Sequence, residues 1–516
     1  MDSLLTAAQM RAIEQAAIST GRVTGLDLME RAGRGVVAAI FDAWPDLAAG
    51  PHRAVILCGP GNNGGDGFVI ARLLAEWGWQ VDLYLYGAAA RLPQDARVNH
   101  DRWCRLGAVR PAQAVDARTA MGADVVVDAL FGTGLRRPLE AALCEVLGKL
   151  SQGPDHMRRV AVDIPSGVDA DSGRVLGEDG QKGGLAAFRA DLTVSFERPK
   201  IGHYLLDRTV GGGRLVICPI GVDPRAAEGP ATPRLSRPSA GALVKSPGAH
   251  KYDHGHALVL SGPSGKGGAA RLAARGALRI GAGLVTLGVP HAALVENASQ
   301  LTAVMLAEIG DAAALCRVLE EDRISALCLG PGLGAARVRE LVPVALADGR
   351  ACVLDADGLS IWDQEEDMRA MLHPGCVLTP HMGEFRRLFP DIAARLAAPA
   401  ETGPAYSRLD AARDAAARAG CTVLLKGADT VIAAPDGACV INTARYDREA
   451  PWLATAGAGD VLAGFIAGLL ARGVAPMEAA QTAAWLHVEA ARLVGPGLIA
   501  EDLPETLPAV FHELGL

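Results

Sequence analysis

The segment Thr455-Ala-Gly-Ala-Gly-Asp460 carries the strongest chemical signal in the sequence. After it, Val461, Leu462, Phe465, Ile466, Leu469 and Leu470 recur at a spacing that puts them on one helical face. Gly457, Ala458 and Gly459 are thereby placed at a helix N-terminus, where backbone N–H groups converge on an anion. Asp460 is then positioned to take a proton from a hydroxyl attacking a terminal phosphate. The alternative is an acidic residue doing ordinary N-terminal helix chemistry.

A second group of polar residues lies in the first half. Gly59-Pro-Gly-Asn-Asn-Gly-Gly-Asp-Gly67 follows the apolar run AVILC and opens the helical stretch FVIARLLAEWG. A Gly-rich turn there lets backbone N–H groups approach a diphosphate, although a plain strand-to-helix turn has the same look. Asn62, Asn63 and Asp66 add polar side chains that a mere turn does not need. Asp128 closes VVVDAL before Phe131-Gly-Thr-Gly-Leu-Arg-Arg-Pro138, and Asp163 closes RVAVD before Ile164-Pro-Ser166-Gly-Val-Asp169. Any one of these aspartates could form a turn or cap a helix. Ligands of open parallel sheets bind at the carboxyl ends of strands, so all three loops are expected to face one crevice.

The elements that must position these residues are legible as alternating apolar runs and helices. Thr6-Ala-Ala-Gln9 has the form of a capping box for a first helix. Strands are expected at 54–58, 81–86, 124–130, 159–165, 190–196 and 214–219. Continuous rather than alternating apolar runs imply a parallel sheet covered on both faces. Residues 223–239 lose this periodicity and gather Pro, Ser and Gly, as a linker does. A second series follows at 257–262, 284–289, 326–332, 352–358, 376–380 and 422–427. The fold class is therefore α/β, with a Rossmann-like domain over 1–222 and a second α/β domain over 240–516.

Composition narrows the partners. The 516 residues suit two or three domains, and a net charge of −8 gives no electrostatic reason to bind nucleic acid or an anionic membrane. No run reaches the roughly 20 apolar residues of a membrane span, and the N-terminus is no signal peptide. The ten cysteines form no Cys-x-x-Cys pair and read as small buried hydrophobes. No zinc site is indicated, at His250, His254 and His256 either. A soluble, cytoplasmic protein is expected. Lysine is scarce, with seven against 43 arginines, which draws the eye to Lys182, Lys200 and Lys426. Lys182 and Lys200 read as phosphate ligands or as surface residues.

NNGGDG, the DALFGTGL-R-x-P loop and VDIPSGVD, followed by DLTVSFERPKIGH, resemble the NAD(P)H-hydrate epimerase family over residues 1–222. The resemblance implies hydrate contacts from Asn62, Asn63, Gly64, Gly65 and Asp66, and from Gly132, Thr133, Gly134, Leu135, Arg136, Arg137 and Pro138. It also implies Asp163 at the substrate and a potassium ion held by Asn63, Asp128 and Ser166, oxygen donors that suit a hard cation. Inverting the C6 hydroxyl of a hydrated nicotinamide needs reversible bond breaking, for which Asp163 is the candidate acid/base.

The Gly-x-Gly-Asp pattern resembles ribokinase-like enzymes. HKYDHGHALVLSG, GAARLAARGALRIGAGLVTLGVP, LGPGLG, VLDADGL, LTPHMGEF and LLKGADTVIA narrow the resemblance to the ADP-dependent NAD(P)H-hydrate dehydratase family over 240–516. It implies that Ala269, Gly332, His381 and Asp460 touch the hydrate, while Lys426, Gly427, Ala428, Asp429, Thr430 and Gly459 hold ADP. The family often has Thr where Ala458 stands, so one side-chain contact is in doubt. The implied chemistry is phosphate transfer to the C6 hydroxyl and then elimination, with Mg2+ clamping the phosphates. Together the halves would repair NADHX and NADPHX, in a homo-oligomer. A small-molecule kinase and a nucleotide-sensing module are the competing readings.

Overall fold

The computed structural model describes residues 3–115, 122–177, 187–207, 210–229, 231–363 and 370–516. Lys182 lies outside the described residues. The chain forms two compact units, one of residues 1–233 with 397–408, the other of 234–396 with 409–516.

In the first unit, Thr6 caps the helix Ala7–Ser19 by accepting from the Gln9 amide at 3.1 Å, and the Gln9 side chain accepts from the Thr6 amide at 2.9 Å. The expected capping box is present. Among the described residues one sheet contains β1 (Arg53–Cys58), β2 (Gln80–Leu85), β3 (Val109–Pro111), β4 (Val125–Ala129), β5 (Arg158–Val162), β6 (Leu192–Phe196) and β7 (Arg214–Cys218). Its order is β3-β2-β1-β4-β5-β6-β7, parallel throughout. Order reverses at β1, so β1 and β4 flank a topological switch point, where their carboxyl ends open a crevice. Central strands are buried on both faces, which explains their unbroken apolar runs.

The second unit has a sheet of β8 (Arg234–Leu235), β9 (His256–Leu260), β10 (Leu284–Val289), β11 (Met305–Glu308), β12 (Ile324–Leu329), β13 (Ala351–Leu354), β14 (Cys376–Leu378), β15 (Thr422–Leu425), β16 (Asp429–Ala433) and β17 (Cys439–Thr443). Its order is β11-β10-β9-β12-β13-β14-β15-β16-β17-β8, with antiparallel pairing only at β15–β16 and β16–β17. The apolar runs anticipate the parallel core but not β3, β8, β11 or the β16–β17 hairpin. Those strands are short, peripheral or embedded in a segment read as a nucleotide loop.

The helix Ala458–Ala471 is buried all round, not on one face. It packs on β12 and β13 and on the helices Gly268–Arg279 and Pro476–Val494. Glycines make this approach possible: a Cβ on Gly464 would lie 2.1 Å from the Ala273 carbonyl oxygen, and one on Gly468 2.6 Å from that of Ala277. The two units meet in sequence at Pro233–Arg234, inside the expected linker, while residues 397–408 join the first unit rather than the second.

Because the Gly464 contact is with backbone, Gly464→Leu cannot be absorbed by a rotamer change. It should cost at least the upper end of about 1–3 kcal/mol for an overpacked core. Thermal melts should show the transition lowered by about 2–4 °C per kcal/mol; an unchanged melt would contradict this packing.

Candidate active sites

In the first unit the helix after β1 starts at Asn62, so Asn62–Asp66 is its first turn rather than a loop before it. Gly64 and Gly65 are packing residues: a Cβ on Gly64 would meet the Gly59 carbonyl oxygen at 2.0 Å, and one on Gly65 the Met29 thioether at 2.5 Å. Asn63 points to the crevice. A Cβ on Gly132 would lie 3.0 Å from Asn63 Oδ1 and 2.8 Å from Asp163 Oδ2, so Asn63, Gly132 and Asp163 converge.

Asp163 follows β5 with φ of 68°, a left-handed conformation that is rare for a residue with a side chain. Its amide donates to the Val194 carbonyl at 2.7 Å, and its carbonyl meets His203 Nε2 at 2.7 Å. His203 Nδ1 accepts from the Lys200 amide, so Nε2 carries the ring proton and donates it. The Asp163 carboxylate accepts from the Thr133 amide (2.9 Å) and Ser195 Oγ (2.9 Å), and lies 3.3 Å from Lys200 Nζ. Burial alone pushes this carboxyl up; Lys200, His203 and the hydrogen bonds outweigh it, and the net displacement is downward. Lys200 is 1% exposed and also donates to Ser195 Oγ, Phe196 O and Arg198 O. It is neither a surface residue nor a phosphate ligand.

Two neighbouring carboxyls behave oppositely. Burial, then Asp163 and Glu14, raise Asp66 well above the usual carboxylate range. Burial and Asp163 raise Glu14, on the first helix, to about 6. Glu14 is invisible in sequence, where it is one more acidic residue on an amphipathic helix. Asp128 is fully buried: it accepts from Ser166 Oγ (2.7 Å), the Ser166 amide (2.8 Å) and the Leu130 amide (3.2 Å), and burial raises it to about 6. Among the described residues no cation pairs with it. Buried Asn63 Nδ2 also lacks a partner there.

The 132–138 loop divides. Thr133 faces Asp163, and Gly134, Arg137 and Pro138 are exposed, but Leu135 is buried in an apolar cluster with Leu176. Arg136 donates to the Gly403 carbonyl at 3.1 Å.

In the second unit, Gly457 caps the helix Ala458–Ala471 with φ of 88°, which places Asp460 in its first turn. A Cβ on Gly459 would lie 3.5 Å from Lys426 Nζ and 3.8 Å from Asp355 Oδ2. Lys426 Nζ is 2.6 Å from Asp355 Oδ1, which also accepts from Thr379 Oγ1 at 2.7 Å. Burial and then Asp355 push Asp460 up to about 6, Lys426 opposing and Asp357 adding. Asp355 and Asp357 are site residues that the sequence reading passed over, although VLDADGL contains both. Gly332 and Ala269 are neighbours, since a Cβ on Gly332 would lie 3.3 Å from that of Ala269.

His381 caps the helix Met382–Leu388: its Nδ1 accepts from the Gly383 amide at 2.9 Å, and its side chain is 58% exposed. Asp429 is buried and paired with Arg445, and Thr430 Oγ1 donates to the Gly427 carbonyl at 3.1 Å. Asp429 thus serves the β16–β17 hairpin. Cys352 and Cys376, adjacent on β13 and β14, bring their Sγ atoms to 3.5 Å with a His373 nitrogen in the same cluster. Their spacing in sequence does not show this grouping, which sits at the amino ends of those strands, opposite the site.

Comparison with known proteins gives the family. Family models described as YjeF-related protein N-terminus and NAD(P)H-hydrate dehydratase match residues 25–202 and 257–507. The bifunctional NAD(P)H-hydrate repair enzyme Nnr of Moorella thermoacetica is 35% identical, over 99% of this chain and 97% of its own length. An NAD(P)H-hydrate epimerase of Rhodobacter capsulatus is 48% identical over its whole length and 43% of this chain. Among solved structures, the ADP/ATP-dependent NAD(P)H-hydrate dehydratase of Bacillus subtilis co-crystallised with ATP and Mg2+ is 28% identical, over 54% of this chain and 94% of its own, with a TM-score of 0.43. Matched along almost its entire length, the chain belongs to the bifunctional NAD(P)H-hydrate repair enzymes.

Proposed function

We propose that Asp163 and Asp460 carry the two reactions of NAD(P)H-hydrate repair, epimerisation in the first unit and dehydration in the second. The observation that carries this reading is that their surroundings displace the two aspartates in opposite directions, Asp163 downward and Asp460 upward. Asp163 stays ionised while Asp66 beside it holds its proton, and Glu14 is raised to about 6. Such a pair of opposed environments separates base from acid. In the hydrate, C6 bears a hydroxyl and adjoins the ring nitrogen. A proton from Asp66 lets the hydroxyl leave as water, the nitrogen lone pair supports the cation left behind, and ionised Asp163 stabilises it. Water adding to the other face inverts the centre and gives its surplus proton back to the Asp66 carboxylate.

Potassium fits the neighbouring donors. Asp128 is a buried carboxylate with no cationic partner among the described residues, Ser166 adds a hydroxyl, and the unpartnered Asn63 amide supplies an oxygen when turned over. K+ would offset the buried negative charge and fix these groups beside the crevice.

In the second unit Asp460, displaced up to about 6, is ionised at neutral pH and basic enough to accept the C6 hydroxyl proton as that oxygen attacks the terminal phosphate of ADP. The Gly457–Gly459 amides lie at the helix N-terminus with Lys426 beside them, where they would stabilise the transferring phosphoryl group. Phosphate then departs from C6 as a proton leaves C5, restoring NAD(P)H. Asp355, Asp357 and Asp460 are not gathered into a ready-made metal cluster; one of them together with the nucleotide phosphates would hold Mg2+, which would neutralise those phosphates. No helix among the described residues is long and apolar enough to cross a membrane, and the free cysteines suit a reducing cytoplasm. We take the active form to be a homo-oligomer.

With the second unit dehydrating the S epimer and the first interconverting R and S, full-length protein given both epimers of hydrated NADH with ADP and Mg2+ should convert both to NADH. Asp163→Asn should leave the R epimer behind, its consumption slowed by about 10²–10⁴-fold, with dehydration of the S epimer intact. Asp460→Asn should abolish NADH formation. Wild-type loss of the R epimer in Asp163→Asn, or NADH from Asp460→Asn, would overturn these assignments.

The buried Asp128 gives a pH signature. Its folded-state value lies above the ordinary 3.8, so without a cation stability declines as pH rises through about 6. K+ should therefore raise the melting temperature over choline near about pH 7.5 and much less near about pH 5. Asp128→Asn should erase that difference; an equal K+ effect at both pH values would contradict a site at Asp128.

A further inference from the structure

Residues 397–408 come from the second half of the sequence yet belong to the first unit, entering at Leu396 and leaving at Leu409. Within that unit the segment lies along the 132–138 loop. The Gly403 amide donates to the Arg136 carbonyl at 3.0 Å, and the Arg136 guanidinium returns a bond to the Gly403 carbonyl at 3.1 Å. The Ala400 carbonyl accepts from the Gly177 amide at 2.8 Å, and the Ala405 amide donates to Asp169 Oδ2 at 3.0 Å. Arg174 donates to the Tyr406 carbonyl at 3.2 Å and also to that of Ala398. Ala400 and Ala405 close an apolar cluster around Leu135 and Leu176.

The loop is thus clamped from two sides. Inside, the Thr133 amide is bonded to Asp163; outside, Leu135 and Arg136 are held by the strap. Gly403 fits because it has no side chain: a Cβ there would lie 2.8 Å from Asp169 Oδ1 and 3.1 Å from the Leu135 carbonyl oxygen. Arg136, expected to touch the hydrate, also bonds the strap through one guanidinium nitrogen.

We infer that the 397–408 strap is a positioning element of the epimerase site, so that residues encoded within the dehydratase half set how well the first unit binds its substrate. The inference rests on the reading that the 132–138 loop contacts the hydrate. Misplacing such a loop weakens binding without removing the groups that break the bond.

The test uses the full chain with R-hydrate as substrate. Arg174→Ala removes two strap bonds without adding bulk, and Gly403→Val forces the strap off Asp169. Both should raise the epimerase KM by about tenfold while kcat stays within about twofold. Dehydration of the S epimer should be unchanged, which a general loss of folding would not allow. Arg137→Ala, on the exposed side of the loop, reports whether the loop touches substrate at all. A KM raised by Arg137→Ala but not by Arg174→Ala overturns the strap's role. A KM moved by neither overturns the underlying reading of the loop, and the inference with it. Should Gly403→Val depress both reactions, Arg174→Ala decides between the outcomes.

Discussion

The Lys200 ammonium, buried against Asp163, is the interaction on which the first site depends. An ionised carboxylate at the bottom of a crevice is costly, and removing one partner of such a buried pair typically costs about 3–5 kcal/mol. The backbone at Asp163 adds its own cost, since a left-handed conformation away from glycine carries about 1–3 kcal/mol of strain. Both are tolerated because the neighbourhood determines them from every direction. Ser195, the Thr133 amide and Lys200 converge on the carboxylate, and His203 holds its carbonyl. The charge then acts outward: it raises Asp66 and Glu14 further than burial alone does.

The second unit solves a similar problem with a different fold. Lys426 is paired to the buried Asp355, and Asp460, on the neighbouring helix N-terminus, is pushed up by burial and by that carboxylate. In each half a lysine sits with one acidic residue at the carboxyl end of a parallel strand, and an adjacent acid takes on altered basicity. Parallel sheets supply this arrangement because their strands end together, where loops can turn side chains inward without breaking the ladder.

Much of this was legible in the sequence, and the exceptions have physical reasons. Continuous apolar runs locate the central strands, and Asp128, Asp163 and Asp460 stand out because each closes a strand or opens a helix. Lys200 is misread because a lysine after Arg-Pro resembles a surface residue; only the fold shows its ammonium buried against Ser195 and Asp163. The clue is Ser195, a polar residue in a strand that is buried at every position. Gly64 and Gly65 look like phosphate-cradling glycines, and the structure adds a packing reason for them that the sequence does not show, against Gly59 and Met29. Asp429 looks like a ligand because it lies in a recognisable motif, yet its charge is used by Arg445. The strap over 397–408 has neither periodicity nor chemistry in its residue types, so nothing short of a structure reveals it.

The central claim is that the surroundings displace the two reacting aspartates in opposite directions, Asp163 downward and Asp460 upward. It is tested most directly by titrating the full-length protein labelled with ¹³Cγ-aspartate, with Asp163→Asn and Asp460→Asn spectra identifying the two resonances. The account predicts that Asp163 remains ionised to below the ordinary carboxylate range while Asp460 titrates near 6. Both resonances titrating together in the ordinary range would contradict it.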